Sequence, residues 1–205
     1  MTFSSRERRA LADLLLELGP NQPTLCEGWN TKDMVVHMRV REARPDAAAG
    51  MFVPALSGHL DKVSSEIAAN TPYTQLVRQW AGGAPMWNPV RWLDRWVNPA
   101  ENFVHHEDVR RGQDAWMPRN FGPGDTEQLW SIVRTFGKVL LSKSPVDVVL
   151  QRPDGEAAKV VDKKSSQADA VTVTGEPGEL LLWAFGRDAV EVEVDGDASG
   201  IKRGF

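Results

Sequence analysis

Between Leu11 and Leu140 the apolar residues of this 205-residue chain recur every three or four positions, and after Pro145 that rhythm stops. Leu11, Leu14, Leu15 and Leu18 share one helical face, and Leu60, Val63, Ile67 and Ala68 share another. Leu129, Ile132, Val133, Phe136, Val139 and Leu140 keep the period for the last time. Beyond Pro145, residues 146–150, 159–161 and 170–174 are β-rich runs between turn residues. Residues 176–185 then read as a helix stopped by Gly186, and residues 189–194 alternate Val with Glu. The expectation is an α+β chain, with an antiparallel bundle of four long helices over residues 1–143 and a small α+β domain over 144–205. A domain of about sixty residues is marginal alone, so it is expected to dock on the bundle.

Helix boundaries follow from local chemistry. Ser4-Ser5-Arg6-Glu7 reads as a capping box, and Gly19-Pro20 ends the first helix. Residues 21–29 have no period and form a loop into a second helix, which is capped by Asn30 or Thr31, carries His37 and runs to about Arg44. Helices are expected over 57–69 and from Pro72 to Trp80, before Gly82-Gly83. Asn98-Pro99 reads as the start of the next helix, with Asn98 as cap, Pro99 at the first position and Glu101 reaching back to the cap. Gly112 closes it, and Asp125 caps the one after. Trp87, Trp92 and Trp96 precede the 98–111 segment and are expected to pack beside it.

That segment carries the chemistry. Glu101 and His105 are four residues apart, about 40° from a full turn, so a carboxylate and an imidazole project from one face and can hold one metal ion. His106 lies roughly 140° from Glu101 around the helix and is read, like His59, as a surface residue. The pair needs a further ligand from elsewhere. On the second helix His37 sits in a stripe with Met34 and Met38, where a histidine is commonly just a satisfied core group.

Charge and cysteine content narrow the function classes. Lys and Arg number 24 against 28 Asp and Glu, a net charge of −4, which supplies no global field to draw in nucleic acid or an anionic membrane. Cys26 is the single cysteine, so an intrachain disulfide is excluded and a reducing cytoplasm is expected. The first apolar run is broken by Asp13 and Glu17, unlike a signal peptide or a membrane span.

Residues 25–37 and 101–111 resemble the metal-binding domain of the mycothiol-dependent maleylpyruvate isomerase family, a branch of the DinB-like four-helix bundles of actinobacteria. Leu180-Leu-Leu-Trp-Ala-Phe-Gly-Arg187 resembles that family's small C-terminal domain, so the likeness spans nearly the whole chain. What the resemblance implies is a divalent metal, usually zinc, held by His37, Glu101 and His105, with mycothiol as cosubstrate. Two imidazoles and one carboxylate leave zinc a position for water or a thiolate, the donor set of a catalytic rather than a closed structural site. A zinc-bound thiol is deprotonated and becomes a nucleophile toward a small electrophile. Asp33, Glu107 and Asp108 are candidates to orient the ligand imidazoles, although such charges commonly just solvate a helix. Arg187, ahead of Arg110 and Arg111, is the candidate to grip a substrate carboxylate. Cys26 has no basic group at a telling spacing and reads as a small hydrophobe. The expected function is a zinc-dependent, mycothiol-using transferase or isomerase. The alternatives are a non-catalytic, metal-containing binding protein and a purely structural metal site.

Overall fold

The computed structural model describes residues 1–83, 90–163 and 170–204, with the backbone alone for 90–98. The chain divides into two compact units, Met1–Trp116 and Met117–Phe205.

The first unit holds α1 (Phe3–Leu18), α2 (Thr31–Ala43), the single turn α3 (Pro45–Ala48), α4 (Ser57–Asn70), α5 (Tyr73–Ala81) and α6 (Val90–Arg111). Helix α1 packs on α5 and α6, and α2 packs on α4, α5 and α6. Their shared core contains Leu11, Leu15, Met34, Val35, Leu76, Trp80 and Val109, each at most 1% exposed. The leucine stripe read from the sequence thus does face inward. A buried polar tie crosses this core: Arg8 on α1 donates to both carboxylate oxygens of Glu42 on α2, and Trp80 Nε1 on α5 donates to Glu42 at 3.3 Å. Three helices are locked together at one carboxylate.

Several local expectations are corrected. Thr2, not Ser4, caps α1, its hydroxyl accepting from the Ser5 N–H. Glu7 is therefore released from capping and is buried against His106, whose Nδ1 stands 2.8 Å from Glu7 Oε2. His106 is not a surface residue: it is 5% exposed and ties α6 to α1. Helix α6 begins at Val90, not Asn98, and Pro99 lies inside it. Proline's fixed φ is helical, so the helix continues through Pro99 despite a cost of about 3 kcal/mol for the lost N–H bond and the ring's crowding of the carbonyl four residues back. The side chains of Trp87, Trp92 and Trp96 lie outside the described residues. Helix α2 follows the reading more closely, since Asn30 caps it and Asp33 returns a hydrogen bond to the Asn30 N–H.

In the second unit, α7 (Pro123–Leu140) and α8 (Pro177–Ala184) accompany a four-stranded sheet of order β2-β1-β3-β4. The strands are β1 (Val148–Gln151), β2 (Ala157–Val161), β3 (Val171–Thr174) and β4 (Glu193–Asp195). β1 pairs parallel with β3, and the other two pairings are antiparallel. The expected strands thus form, although the last is shorter than its alternation suggested. Gly122, with Pro123 after it, begins α7 in place of Asp125.

The division of units falls at residue 116, earlier than the change of periodicity near Pro145. Helix α7, read from its period as the last helix of the bundle, packs on α8 and β2 instead. Gly137 shows why its apolar stripe suits a sheet. A Cβ there would stand 3.0 Å from Val160 and 3.2 Å from Leu150, so helix and strands meet too closely for a side chain.

A candidate metal centre on a buried polar helix

From Asn102 to Val109 every residue of α6 is buried, although the stretch includes an amide, two imidazoles and two carboxylates. Burying such groups is unfavourable unless each finds a partner. The Asn102 amide donates to the Ser4 carbonyl and hydroxyl, and His106 meets Glu7. Glu107, 0% exposed, accepts from Arg110 at 2.9 Å and from Arg111 at 2.6 Å. Glu107, Arg110 and Arg111 thus engage one another on α6.

His105 is the exception. Its Nδ1 lies 3.1 Å from Asp108 Oδ2, which is itself 0% exposed. Its Nε2 is buried and has no hydrogen bond among the described residues. The nearest carboxylate oxygen, Glu101 Oε2, stands 3.3 Å away, an ionic distance without hydrogen-bonding geometry. Across from it, the His37 ring meets the His105 ring edge-on at 5.3 Å between centroids. One potential ligand atom from each of His37, Glu101 and His105 can be chosen so that all lie within 4.8 Å of one another. The structure brings together all three residues that the resemblance implied.

Protonation fits the same picture. Burial and the facing His105 push the His37 pKa down to about 3, so its imidazole is neutral at pH 7, the form that ligates a cation. Burial would raise the Glu101 carboxyl, but His105, Arg41 and His37 outweigh it and hold the pKa at about 2. For His105, burial acts downward, while Asp108, Cys26 and Glu101 together hold the pKa well above the ordinary value. A proton on the metal-free His105 thus occupies the place of a bound cation between two carboxylates. A metal ion must displace it, so zinc binding at pH 7 is expected to release about one proton. Titration calorimetry in buffers of different ionisation enthalpy measures that number, and a value near zero would contradict a charged His105.

Two residues near the centre had no role in the sequence reading. Arg41 Nε stands 3.7 Å from Glu101 Oε2 and balances that carboxylate from α2. Cys26 Sγ lies 3.4 Å from Asp108 Oδ2, so the loop cysteine shares its acceptor with His105. Cys26, His105 and Asp108 also have potential ligand atoms within 4.8 Å of one another. The signal was absent from local spacing because Cys26 and Asp108 are 82 positions apart.

The loop reaches α6 through its backbone. Trp29 N–H closes a turn on the Cys26 carbonyl at 2.9 Å, with Gly28 at φ 76°, in the left-handed region that glycine favours. Leu25 N–H donates to the Asp108 carbonyl at 2.9 Å. The turn also lays the Trp29 ring against His37, 5.0 Å between centroids. Beside them a cleft of about 420 Å³ opens between α2 and α4, with His37 in its wall. Asp33, considered as an orienting group, caps α2 and borders this cleft. Arg187 lies in the second unit, where its guanidinium donates to the Phe185 carbonyl at 2.9 Å. His59 is exposed and pairs with Asp46. Among the described residues, no helix is long and apolar enough to cross a membrane.

No protein-family model matches the sequence, and no curated protein matches it either. Two solved structures do resemble the fold. A crystal structure of the mycothiol-dependent maleylpyruvate isomerase covers 98% of this chain and 94% of its own, at 14% identity and a TM-score of 0.57. That of a histidine-to-alanine mutant of the same enzyme gives the same coverage and identity with a TM-score of 0.59. At such identity the likeness speaks for the fold, which this chain shares over nearly its whole length.

Proposed function

We propose that the chain is a metal-dependent enzyme, an isomerase or transferase that uses mycothiol to act on a small electrophile. The observation that carries the reading is the buried, unbonded Nε2 of His105, facing a neutral imidazole and an ionised carboxylate. In the metal-free protein Nε2 has only an ionic contact with Glu101 at 3.3 Å, and a divalent cation would replace it with bonds to His37, Glu101 and His105 together. The first unit is read as a DinB-like metal-binding bundle, and the solved structures of like fold supply mycothiol as the thiol to test. Zinc is the metal favoured by two imidazoles and a carboxylate.

His37, Glu101 and His105 would hold the ion, and Asp108 keeps the His105 proton on Nδ1 so that Nε2 remains a donor. When bound, zinc supplies Lewis acidity that keeps a low-molecular-weight thiol in its thiolate form at neutral pH. Arg41 holds the Glu101 carboxylate on the α2 side. Trp29 lays its ring on His37 in the wall of the cleft and would fix that imidazole's orientation.

The test is turnover of a panel of electrophiles by the zinc-loaded protein with mycothiol, with another thiol and with none. Turnover that requires the added thiol and survives Cys26→Ser supports the proposal, because Cys26 then serves only as a neighbour of Asp108. Turnover without added thiol that vanishes in Cys26→Ser would make the protein's own sulfur the nucleophile. Zinc and small ligands bound tightly with no turnover under any condition would favour a binding protein.

A further inference from the structure

We propose that the cleft beside the metal centre selects an uncharged or cationic ligand and discriminates against a dicarboxylate. The inference rests on the proposed function for the location of the reacting centre, and it specifies the substrate class of that same site. Its ground is the charge of the wall.

Besides His37 and Trp29, the wall of the cleft carries Asp33, Asp61 and Ser64, with Leu60 among its apolar members. The only charged residues lining it, among the described residues, are these two carboxylates; no lysine or arginine does so. Neither carboxylate stands in an ion pair among the described residues. Arg41 does not line the cleft and is paired at the metal centre with Glu101, and Arg110 and Arg111 are paired with Glu107. Arg187, offered by the sequence for a substrate anion, donates to Phe185 within the other unit. With Glu101 balanced by Arg41, a divalent cation would be offset by Asp33 and Asp61, leaving no surplus positive charge for a dianion. A serine hydroxyl and two carboxylates instead accept hydrogen bonds from hydroxyl, amide or ammonium groups, while Trp29 and Leu60 cover an apolar portion. Maleylpyruvate, the substrate named for the enzyme of like fold, is a dicarboxylate. The wall of this chain argues for a different, less anionic substrate.

Two measurements test this on the full chain. In the first, the indole N–H resonance that disappears in Trp29→Phe is followed while metal-free protein is titrated with unreactive four-carbon probes: succinate, succinamide and 1,4-diaminobutane. Succinamide and 1,4-diaminobutane are expected to shift it at concentrations roughly tenfold below those at which succinate acts, the scale of one nearby charge at intermediate dielectric. Succinate acting at equal or lower concentration would overturn the proposal. In the second, Asp61→Lys is compared with wild type in the zinc-loaded protein, with maleate and its dimethyl ester as electrophiles. The KM for maleate is expected to fall roughly tenfold while that for the diester changes less than twofold, and an unchanged maleate KM would count against the proposal. If no electrophile turns over yet the resonance follows the stated order, the enzymatic reading fails and the charge selection stands.

Discussion

Replacing His37 or His105 by alanine is expected to lower zinc affinity by on the order of a hundredfold or more and to end stoichiometric loading, because each removes one of three converging donors. His106→Gln serves as the control: His106 is on the same helix and equally buried, but its Nδ1 is committed to Glu7 on the far side of the pair. It should retain a full equivalent of zinc. Asp108→Asn belongs between these extremes, with a loss of about 10–100-fold, since an amide in place of the carboxylate weakens the acceptor that keeps the His105 proton on Nδ1. The measurement is metal content after dialysis together with competition against a chelator of known affinity. Full zinc in both alanine variants, with loss in His106→Gln, would place the ion elsewhere on α6. Acidification should weaken binding in the wild type, because protons compete for His105 well above the usual imidazole range.

Gly112→Ala is expected to cost about 1–3 kcal/mol, the range for forcing extra atoms into a closely packed contact. A Cβ at Gly112 would lie 2.6 Å from both the Pro23 carbonyl oxygen and the Thr24 Cα, which are backbone atoms and cannot rotate away. The contact holds the 20–30 loop on the end of α6, where Leu25 N–H and the Gln113 side chain also bind across it. Displacing the loop should loosen Cys26 from Asp108, so modification of Cys26 by a thiol reagent should accelerate as the melting temperature falls. Gly124→Ala, in α7 with nothing within 4 Å of the added carbon, should be neutral or slightly stabilising. An unchanged melting temperature and unchanged Cys26 reactivity in Gly112→Ala would show that the loop does not depend on this approach.

Much of the architecture was legible because local chemistry is enough to determine it. The Leu11 and Leu15 face, the Asn30 cap of α2 and the β-rich runs after Pro145 each follow from period or capping, which act over a few residues. The Glu101–His105 pair was legible for the same reason, since four residues on a helix fix a shared face. Local signals also misled where they were ambiguous. Asn98-Pro99 suits a helix start, yet continuous helix from Val90 accommodates Pro99 despite the lost bond and the ring's crowding. The stripe on α7 records an apolar face but not which partner covers it, and the partner proved to be α8 and the sheet.

What the sequence by itself determined is therefore the inventory: helices with apolar stripes, a late sheet, and a carboxylate and an imidazole one turn apart. The tertiary structure alone decided that the most polar stretch of α6 lies inside. A helix carrying Asn102, His105, His106, Glu107 and Asp108 looks solvent-facing from its composition. It is buried because Ser4, Glu7, Arg111 and Cys26, distant or near in sequence, supply hydrogen-bonding or ionic partners in place of water. The Glu107–Arg111 and His105–Asp108 pairs lie within one or two turns of α6, but only long-range packing could bring Ser4, Glu7 and Cys26 to the helix and set His105 Nε2 beside His37 and Glu101.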